Sequence, residues 1–142
     1  MPTRISSARW QGNLKDGAGT MALGSKAYEG AYSFVSRFEE GPGTNPEELI
    51  AAAHAGCFSM AFANTLAQAG HTPNAVDTDA NVHLERTDAG FTITRIDLVT
   101  RADVPGIDEA EFHKLAETAK ATCPVSRALA AVQEITIQAT LV

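Results

Sequence analysis

Asn45-Pro46-Glu47-Glu48-Leu49-Ile50, continued by AAAHAGCFSMAFANTLAQAG over residues 51–70, is the stretch that decides the fold. Asn45 is a good N-cap, and Pro46 suits the first helical position. The two glutamates that follow are favoured at the positive end of a helix. Gly70 is a typical C-terminal stop. The sequence therefore predicts a long helix from residue 45 to about residue 69.

The composition of this predicted helix indicates burial. Its interior contains no Lys or Arg, and apolar side chains occupy most of its circumference. A helix that is apolar nearly all round is normally a buried one. Because a chain of 142 residues rarely hides such a helix alone, we expect a partner subunit to pack against it.

Strand patterns stand before the helix. Residues 4–10, 17–23 and 28–38 are predicted to form three strands joined by glycine-containing turns, which favours an antiparallel meander. The third is the clearest, since apolar and polar residues alternate along it.

A second set of elements follows the helix. Residues 76–85 alternate as a strand, and the turn at residues 87–90 closes a hairpin. The alternation changes phase in the return strand, which indicates a bulge near Thr94-Arg95.

Residues 108–122 form an amphipathic pattern with Phe112, Leu115, Ala116 and Ala119 facing inward. A short helix restarts at Cys123-Pro124 and runs through residue 131, and residues 134–142 are a final strand. The order βββ–α–ββ–α–α–β favours an α+β fold over a doubly wound sheet.

Composition narrows the class of protein. The 142 residues predict one domain spanning 1–142, and 44% hydrophobic residues are typical of a globular chain. The net charge is −6 and the 11 basic residues are scattered, which argues against a nucleic-acid partner or a membrane surface. No uninterrupted apolar run of 18 residues and no signal-peptide pattern are present. We expect a cytoplasmic protein.

The chain has two cysteines, Cys57 and Cys123. Cys57 lies inside the predicted helix, where it is either a small core residue or a reactive thiol. Cys123 stands at the expected N-terminus of a short helix, where backbone N–H groups favour a thiolate. It also suits a simple capping or packing role. In a reducing compartment the two are therefore either inert or a redox pair.

Three charged residues bear on this choice. Arg37 is predicted on a strand, and Glu47 and Glu48 open the long helix. Considered one at a time, Arg37 is explained as a solvent-exposed residue at the edge of a sheet. The two glutamates are explained by their favourable interaction with the helix dipole. A buried thiol without a cation has a raised pKa and is inert. A guanidinium beside Cys57 would instead hold a nucleophilic thiolate, and a carboxylate would fix that guanidinium, which is the arrangement that peroxide reduction requires.

Metal binding has weaker support. His54 and Cys57 are three residues apart on the predicted helix, but paired cysteine spacings typical of zinc sites are absent. We therefore expect no metal, and we interpret His54 as a helix residue bonded at an interface. No glycine-rich phosphate loop and no metalloprotease or hydrolase motif is present.

Several motifs together resemble one known family. They are Phe38-Glu39, the run GTNPEELIAAAHAGCFSM over residues 43–60, Asp88-Ala89-Gly90-Phe91, Val104-Pro105-Gly106-Ile107 and Cys123-Pro124-Val125-Ser126. In order and spacing they resemble the OsmC/Ohr family, the osmotically inducible and organic hydroperoxide resistance proteins. The Ala-His before Cys57 and the Glu-Glu-Leu entry are similar to the OsmC branch in particular. The resemblance covers essentially the whole chain.

The resemblance implies a fold and an activity. The fold is antiparallel sheets around a long buried central helix, in an intertwined homodimer with two active sites at the subunit interface. The activity is a thiol-dependent peroxidase for organic hydroperoxides, in stress defence. No metal, flavin or nucleotide cofactor is implied.

The resemblance also assigns roles to residues. Cys57 is implied as the peroxidatic cysteine and Cys123 as the resolving one, with Arg37 as the activating arginine. Glu47 is implied as the site carboxylate, with Glu48 as second choice. The Cys57 thiolate would attack the peroxide, and the sulfenic acid would condense with Cys123. An external dithiol would reset the pair, and the Ohr branch uses lipoylated proteins for this.

Helix geometry adds an expectation about the site. Glu47 and Cys57 are ten residues apart, which is ~15 Å of rise along one straight helix. Direct contact within one chain is then impossible unless the helix begins later than predicted. Either the Arg37–Glu47 pair that reaches a given Cys57 comes from the partner chain, or Arg37 spans the gap.

Apolar residues near Cys57 indicate the kind of substrate. Phe58, Met60 and Phe62 near Cys57 would suit an alkyl-bearing substrate, since each buried methylene contributes about 0.8 kcal/mol. Hydrogen peroxide would gain none of this binding energy.

A non-catalytic redox sensor, or a dimeric stress protein with inert core cysteines, would use the same residues. Sustained peroxide consumption separates the enzyme from both.

Overall fold

The computed structural model describes all residues, 1–142. They form two compact units, residues 1–49 and residues 50–142.

The first unit is built on a three-stranded meander. The strands are β1 (Ser6–Gln11), β2 (Ala18–Leu23) and β3 (Glu29–Ser33), paired antiparallel in the order β1-β2-β3. The predicted meander is therefore confirmed.

The third strand is shorter than predicted. β3 ends at Ser33, and residues Phe34–Phe38 form the short helix α1. Ser33 caps this helix: its hydroxyl accepts from the Ser36 N–H at 3.2 Å, and the Ser36 hydroxyl accepts from the Ser33 N–H at 2.9 Å. This reciprocal capping box stops the strand although the alternation of residues continues. Arg37 consequently lies on a helix and not on a strand.

Helix α2 (Pro46–Gln68) has the predicted ends. The Asn45 side chain accepts a hydrogen bond from the Glu48 N–H at 2.8 Å, as expected of an N-cap. At the other end Gly70 has a φ of +90°. The N–H groups of Gly70 and His71 donate to Ala67 and Leu66, which is the Schellman arrangement.

Burial of α2 is one-sided in the single chain. Its buried face follows a spacing of four residues and comprises His54, Phe58, Phe62 and Leu66, all with no exposed surface. Met60 is 76% exposed on another face, so a single chain buries only part of the circumference of α2. The expected partner subunit stays a prediction. By length and composition α2 would also be apolar enough to cross a membrane, a property that it shares with core helices of soluble proteins.

The second unit continues with a mixed sheet. The hairpin of β4 (Ala75–Thr87) and β5 (Gly90–Asp103) is antiparallel, and the register shifts where His83 and Leu84 face Arg95 and Ile93. Thr94 is thus the extra residue, which confirms the predicted bulge. Helices α3 (Glu109–Thr122) and α4 (Pro124–Ala128) follow, and α4 ends three residues earlier than predicted.

The last strand corrects the expectation of purely antiparallel sheets. β6 (Glu134–Leu141) pairs with β5 in parallel, giving the order β4-β5-β6. Helices α3 and α4 carry the chain back so that β6 runs in the same direction as β5, as in any crossover connection.

Aromatic and small apolar side chains form the core of this unit. Phe62 contacts Phe58 and Phe112, with ring centroids 5.6 and 5.3 Å apart. Of the residues predicted on the inner face of α3, Phe112, Ala116 and Ala119 are buried and Leu115 is partly buried against the core. Cys123 belongs to the same cluster.

Asp97 joins all three strands of the second sheet. Its carboxylate accepts from Arg95 Nη2 and His83 Nε2, both at 2.7 Å, and from Thr136 Oγ1 at 2.6 Å. The hydrogen bonds from Arg95 and Thr136 hold the pKa of Asp97 well below its usual range, against the opposing effect of burial. The ionised carboxylate therefore stabilises the folded state.

We expect Asp97→Asn to lower the free energy of unfolding at pH 7 by roughly 1 kcal/mol, allowing for screening by solvent. A carboxyl whose pKa is depressed by folding contributes stability above its unfolded pKa of about 3.9 and loses it as pH falls through the folded value. The difference in free energy of unfolding between the wild type and the variant should therefore become smaller below about pH 4. Urea denaturation at several pH values measures this, with Asp88→Asn in the hairpin turn as the control. A gap that stays constant down to the acid range would contradict the assignment.

Candidate active site

The two cysteine sulfurs meet in the second unit. Cys57 comes from the middle of α2 and Cys123 from the junction of α3 and α4, and their Sγ atoms are 3.1 Å apart. Both are free thiols; Cys123 has no exposed surface and Cys57 is partly exposed. Residues 66 positions apart in the chain are thus placed within reach of a disulfide.

Cys123 lies where backbone donors converge. Pro124 starts α4, so Cys123 stands at the N-cap of that helix, beside the N–H groups of its first turn that have no partner within the helix. Burial raises the pKa of Cys123, but hydrogen bonds from the Ser126 N–H, the Cys57 thiol and the Ser126 hydroxyl lower it, and the net direction is downward. The stronger acid of the pair in the single chain is Cys123.

Cys57 has the opposite environment. Burial raises the pKa of Cys57, and the hydrogen bond with Cys123 raises it further, against a smaller lowering by the Val125 N–H. A neighbouring thiolate disfavours a second negative charge. For Cys57 to be the nucleophile, a cation must therefore come to it.

Arg37 and Glu47 form a second pair, within the first unit. Arg37 Nη2 is 2.8 Å from Glu47 Oε1, and Arg37 Nε is 3.2 Å from Glu47 Oε2. This is the two-point contact that suits a planar guanidinium and a carboxylate. The Arg37 side chain is 34% exposed and that of Glu47 10%, so the pair fixes the guanidinium and leaves part of it open.

Glu48, the second choice for the site carboxylate, is engaged elsewhere. Its Oε2 accepts from Thr44 Oγ1 at 2.6 Å. The backbone N–H of Glu48 donates a hydrogen bond to the side-chain oxygen of Asn45. The structure thus joins Glu47, not Glu48, to Arg37.

An apolar cavity adjoins Arg37 in the first unit. Its volume is about 280 Å³, and it is lined by Trp10, Leu14, Tyr32, Ser33, Phe34, Arg37 and Phe38. A larger cavity of about 570 Å³ lies at the bulged end of the β4–β5 hairpin and is lined mostly by charged and polar side chains, including Glu85, Arg95 and Glu134. The apolar lining beside a fixed guanidinium makes the smaller cavity the better candidate for binding a substrate.

The aromatic residues of α2 do not serve this purpose. Phe58 and Phe62 are completely buried in the core, so the expectation that they face a substrate is wrong. Met60 is exposed and lines a different shallow cavity with Pro73 and Val76.

The structure also corrects the interpretation of His54. The residue has no exposed surface within a single chain, and its Nε2 is 2.7 Å from Ser126 Oγ. It is therefore an internal partner of Ser126, not a residue bonded at an interface. Among the described residues 1–142, no group of three or more His, Cys, Asp or Glu side chains could hold a metal ion. Ser126 was not among the predicted site residues, although its position three residues after Cys123 was a visible signal.

Comparison with known proteins places the chain in a family. A sequence model described as OsmC-like protein matches residues 39–138. The chain belongs to the OsmC-like family.

Named relatives of this OsmC-like chain fall in both branches of the resemblance. It is 50% identical over 131 residues to peroxiredoxin OsmC of Escherichia coli, covering 92% of this chain and 90% of that protein. It is 39% identical over 89 residues to an organic hydroperoxide resistance protein of Xanthomonas axonopodis, covering 62% and 61%. The family assignment made from the motifs is therefore confirmed.

A solved structure supports the fold. The crystal structure of an organic hydroperoxide resistance protein OsmC from Legionella pneumophila has a TM-score of 0.69 to this chain at 23% identity, covering 99% of this chain and 97% of that one. At this identity the likeness concerns the fold, and the predicted α+β class is confirmed.

Proposed function

We propose that this OsmC-like chain is a thiol-dependent peroxidase that reduces organic hydroperoxides to alcohols. The observation that carries the proposal is the approach of Cys57 and Cys123 to 3.1 Å as free thiols. Support comes from relatives named peroxiredoxin and organic hydroperoxide resistance protein.

The proposed reaction has three steps. The Cys57 thiolate attacks the distal peroxide oxygen, the O–O bond breaks, and an alcohol leaves after taking up a proton. The Cys57 sulfenic acid then condenses with Cys123, which forms a disulfide and releases water. An external dithiol, such as a lipoylated protein, exchanges with the disulfide and restores both thiols.

The nucleophile needs a cation, and we assign this role to Arg37 held by Glu47. The pair sits at the first turn of α2 because Glu47 is the second residue of that helix. Cys57 lies ten residues further along, ~15 Å by helical rise. We therefore propose that the Arg37–Glu47 pair serving a given Cys57 belongs to a second copy of the chain, so that the working form is a homodimer.

Substrate preference follows from the cavity beside Arg37. Its aromatic lining, which includes Trp10, Tyr32 and Phe34, would receive the organic group of a hydroperoxide while the guanidinium faces the peroxide oxygens. Each methylene removed from water contributes about 0.8 kcal/mol, or roughly fourfold in rate when it is realised in the transition state.

We expect kcat/KM for cumene hydroperoxide to exceed that for hydrogen peroxide at least about 30-fold, since several carbon atoms enter the cavity. Peroxide consumption in the presence of excess dithiothreitol measures both values, and continued turnover separates an enzyme from a sensor that oxidises once. Phe34→Ala should reduce the preference, and Phe91→Ala, a matched substitution in the β4–β5 hairpin, should leave it unchanged. Equal efficiency for the two peroxides would contradict the substrate assignment.

A further inference from the structure

A row of buried polar side chains leads from helix α2 to Cys123. Two of these residues, His54 and Ser126, have no role in the proposed reaction steps. His54 Nε2 lies 2.7 Å from Ser126 Oγ. His54 has no exposed surface and Ser126 is 7% exposed. Ser126 in turn is the third residue of α4, the short helix that begins directly after Cys123, and hydrogen bonding by its N–H and hydroxyl lowers the pKa of the Cys123 thiol. The order of contacts is therefore His54, Ser126, Cys123 and then Cys57.

The unpartnered atom of His54 indicates the direction of these hydrogen bonds. Nδ1 is the buried side-chain nitrogen or oxygen for which the structure provides no hydrogen-bond partner. Burial lowers the pKa of His54, so the ring is neutral near pH 7 and carries one N–H. A hydrogen on Nδ1 would be a buried donor with no acceptor, which is the less common kind of unsatisfied group.

A hydrogen on Nε2 satisfies the rest of the chain. Nε2–H then donates to Ser126 Oγ, so the Ser126 hydroxyl hydrogen is free to donate to the Cys123 sulfur. With the other tautomer, Ser126 would give its hydrogen to the ring and the sulfur would lose this donor. The geometry thus favours a relay of two donors that ends on Cys123.

We propose that His54, acting through Ser126, is the positioning residue that readies the Cys123 sulfur to attack the oxidised Cys57. The proposal rests on the proposed function for the reaction that it serves. In that step a Cys123–Cys57 S–S bond forms and the Cys57 S–O bond breaks. The hydroxide that leaves takes the proton given up by the Cys123 thiol and becomes water, and no further oxidant is required.

A single-turnover experiment tests this role. The protein is reduced and mixed with one equivalent of tert-butyl hydroperoxide, and intact mass is followed over time. In His54→Met we expect the sulfenic acid, a gain of one oxygen, to form no more slowly than in the wild type, because a less ionised Cys123 opposes the Cys57 thiolate less. We expect its conversion to the disulfide to be about tenfold slower, as for loss of one hydrogen bond to a charged group. Ser126→Ala, a smaller change to the core, should behave in the same way.

Rescue by a conservative variant separates positioning from packing. His54→Gln keeps an N–H donor near the place of Nε2, so it should restore most of the rate, whereas a space-filling role would leave it as slow as His54→Met. His113→Met, at an exposed histidine of α3, is the matched control. Wild-type disulfide formation in both His54→Met and Ser126→Ala would overturn the proposal, as would failure of His54→Gln to recover.

A second readout does not depend on peroxide. In a Cys57→Ser background, the ultraviolet absorbance of the Cys123 thiolate is titrated with pH. His54→Met should move this titration about one unit upward, equal to a tenfold change. Lys120 and Arg127, which border Ser126, are present in every variant compared. An unshifted titration would overturn the relay, whereas a shifted titration in a protein that never oxidises would refute only the proposed peroxidase.

Discussion

Substitution of Cys57 by serine is expected to reduce kcat/KM for organic hydroperoxides by at least about 1,000-fold, as removal of a catalytic nucleophile usually does. A serine hydroxyl is not ionised near neutral pH and does not attack a peroxide oxygen. Peroxide consumption with excess dithiothreitol measures the loss. Circular dichroism checks that the variant folds.

Cys123→Ser is the matched variant at the other sulfur. It should keep the first reaction with peroxide, and intact mass should show a stable gain of one oxygen because no disulfide can follow. The opposite pattern would mean that Cys123 is the attacking sulfur. The comparison is informative because the pKa of Cys123 is the lowered one in the single chain.

Arg37→Met is expected to reduce kcat/KM by about 100–1,000-fold, the usual effect of removing a fixed group that stabilises charge in the transition state. Arg37→Lys should recover only part of this loss, because an ammonium cannot make the two-point contact with Glu47. The control is Arg86→Met at an exposed arginine of β4, which should retain activity. A fully active Arg37→Met would remove this residue from the site.

Mixing two inactive variants decides which copy supplies the guanidinium. Cys57→Ser and Arg37→Met chains are unfolded together and refolded as a mixture. If each site combines Cys57 of one copy with Arg37 of the other, a mixed dimer has one intact site. Activity should then return to about a quarter of the wild-type value, because half of randomly formed dimers are mixed. If both residues act within one chain, no activity returns.

The predictions from sequence succeeded where the signal is local. Asn45 and Gly70 define the ends of α2 through hydrogen bonds between residues within five positions of each other, and Pro46 favours the first helical position through its fixed φ. The local pattern therefore contains the needed information. The bulge at Thr94 was visible for the same reason, as a change of alternation within one strand.

The predictions failed where distant residues decide. The parallel pairing of β6 depends on how α3 and α4 return the chain, and no alternation within residues 134–142 specifies it. Burial of His54 depends on Ser126, 72 positions away. The α1 helix is an exception, because its signal is local: the hydroxyls of Ser33 and Ser36, three residues apart, end a strand whose side-chain alternation continues past it.

The long separation in sequence of the two neighbouring sulfurs links the redox state of the protein to its folding stability. A Cys57–Cys123 bond would close a loop of 66 residues, and the entropy removed from the unfolded chain would stabilise the folded state by about 4 kcal/mol. A thermodynamic cycle requires the reverse as well: folding favours the disulfide by the same amount. In the proposed cycle the reduced protein would therefore be the less stable of the two forms, and each reductant that regenerates the thiols would also remove this constraint.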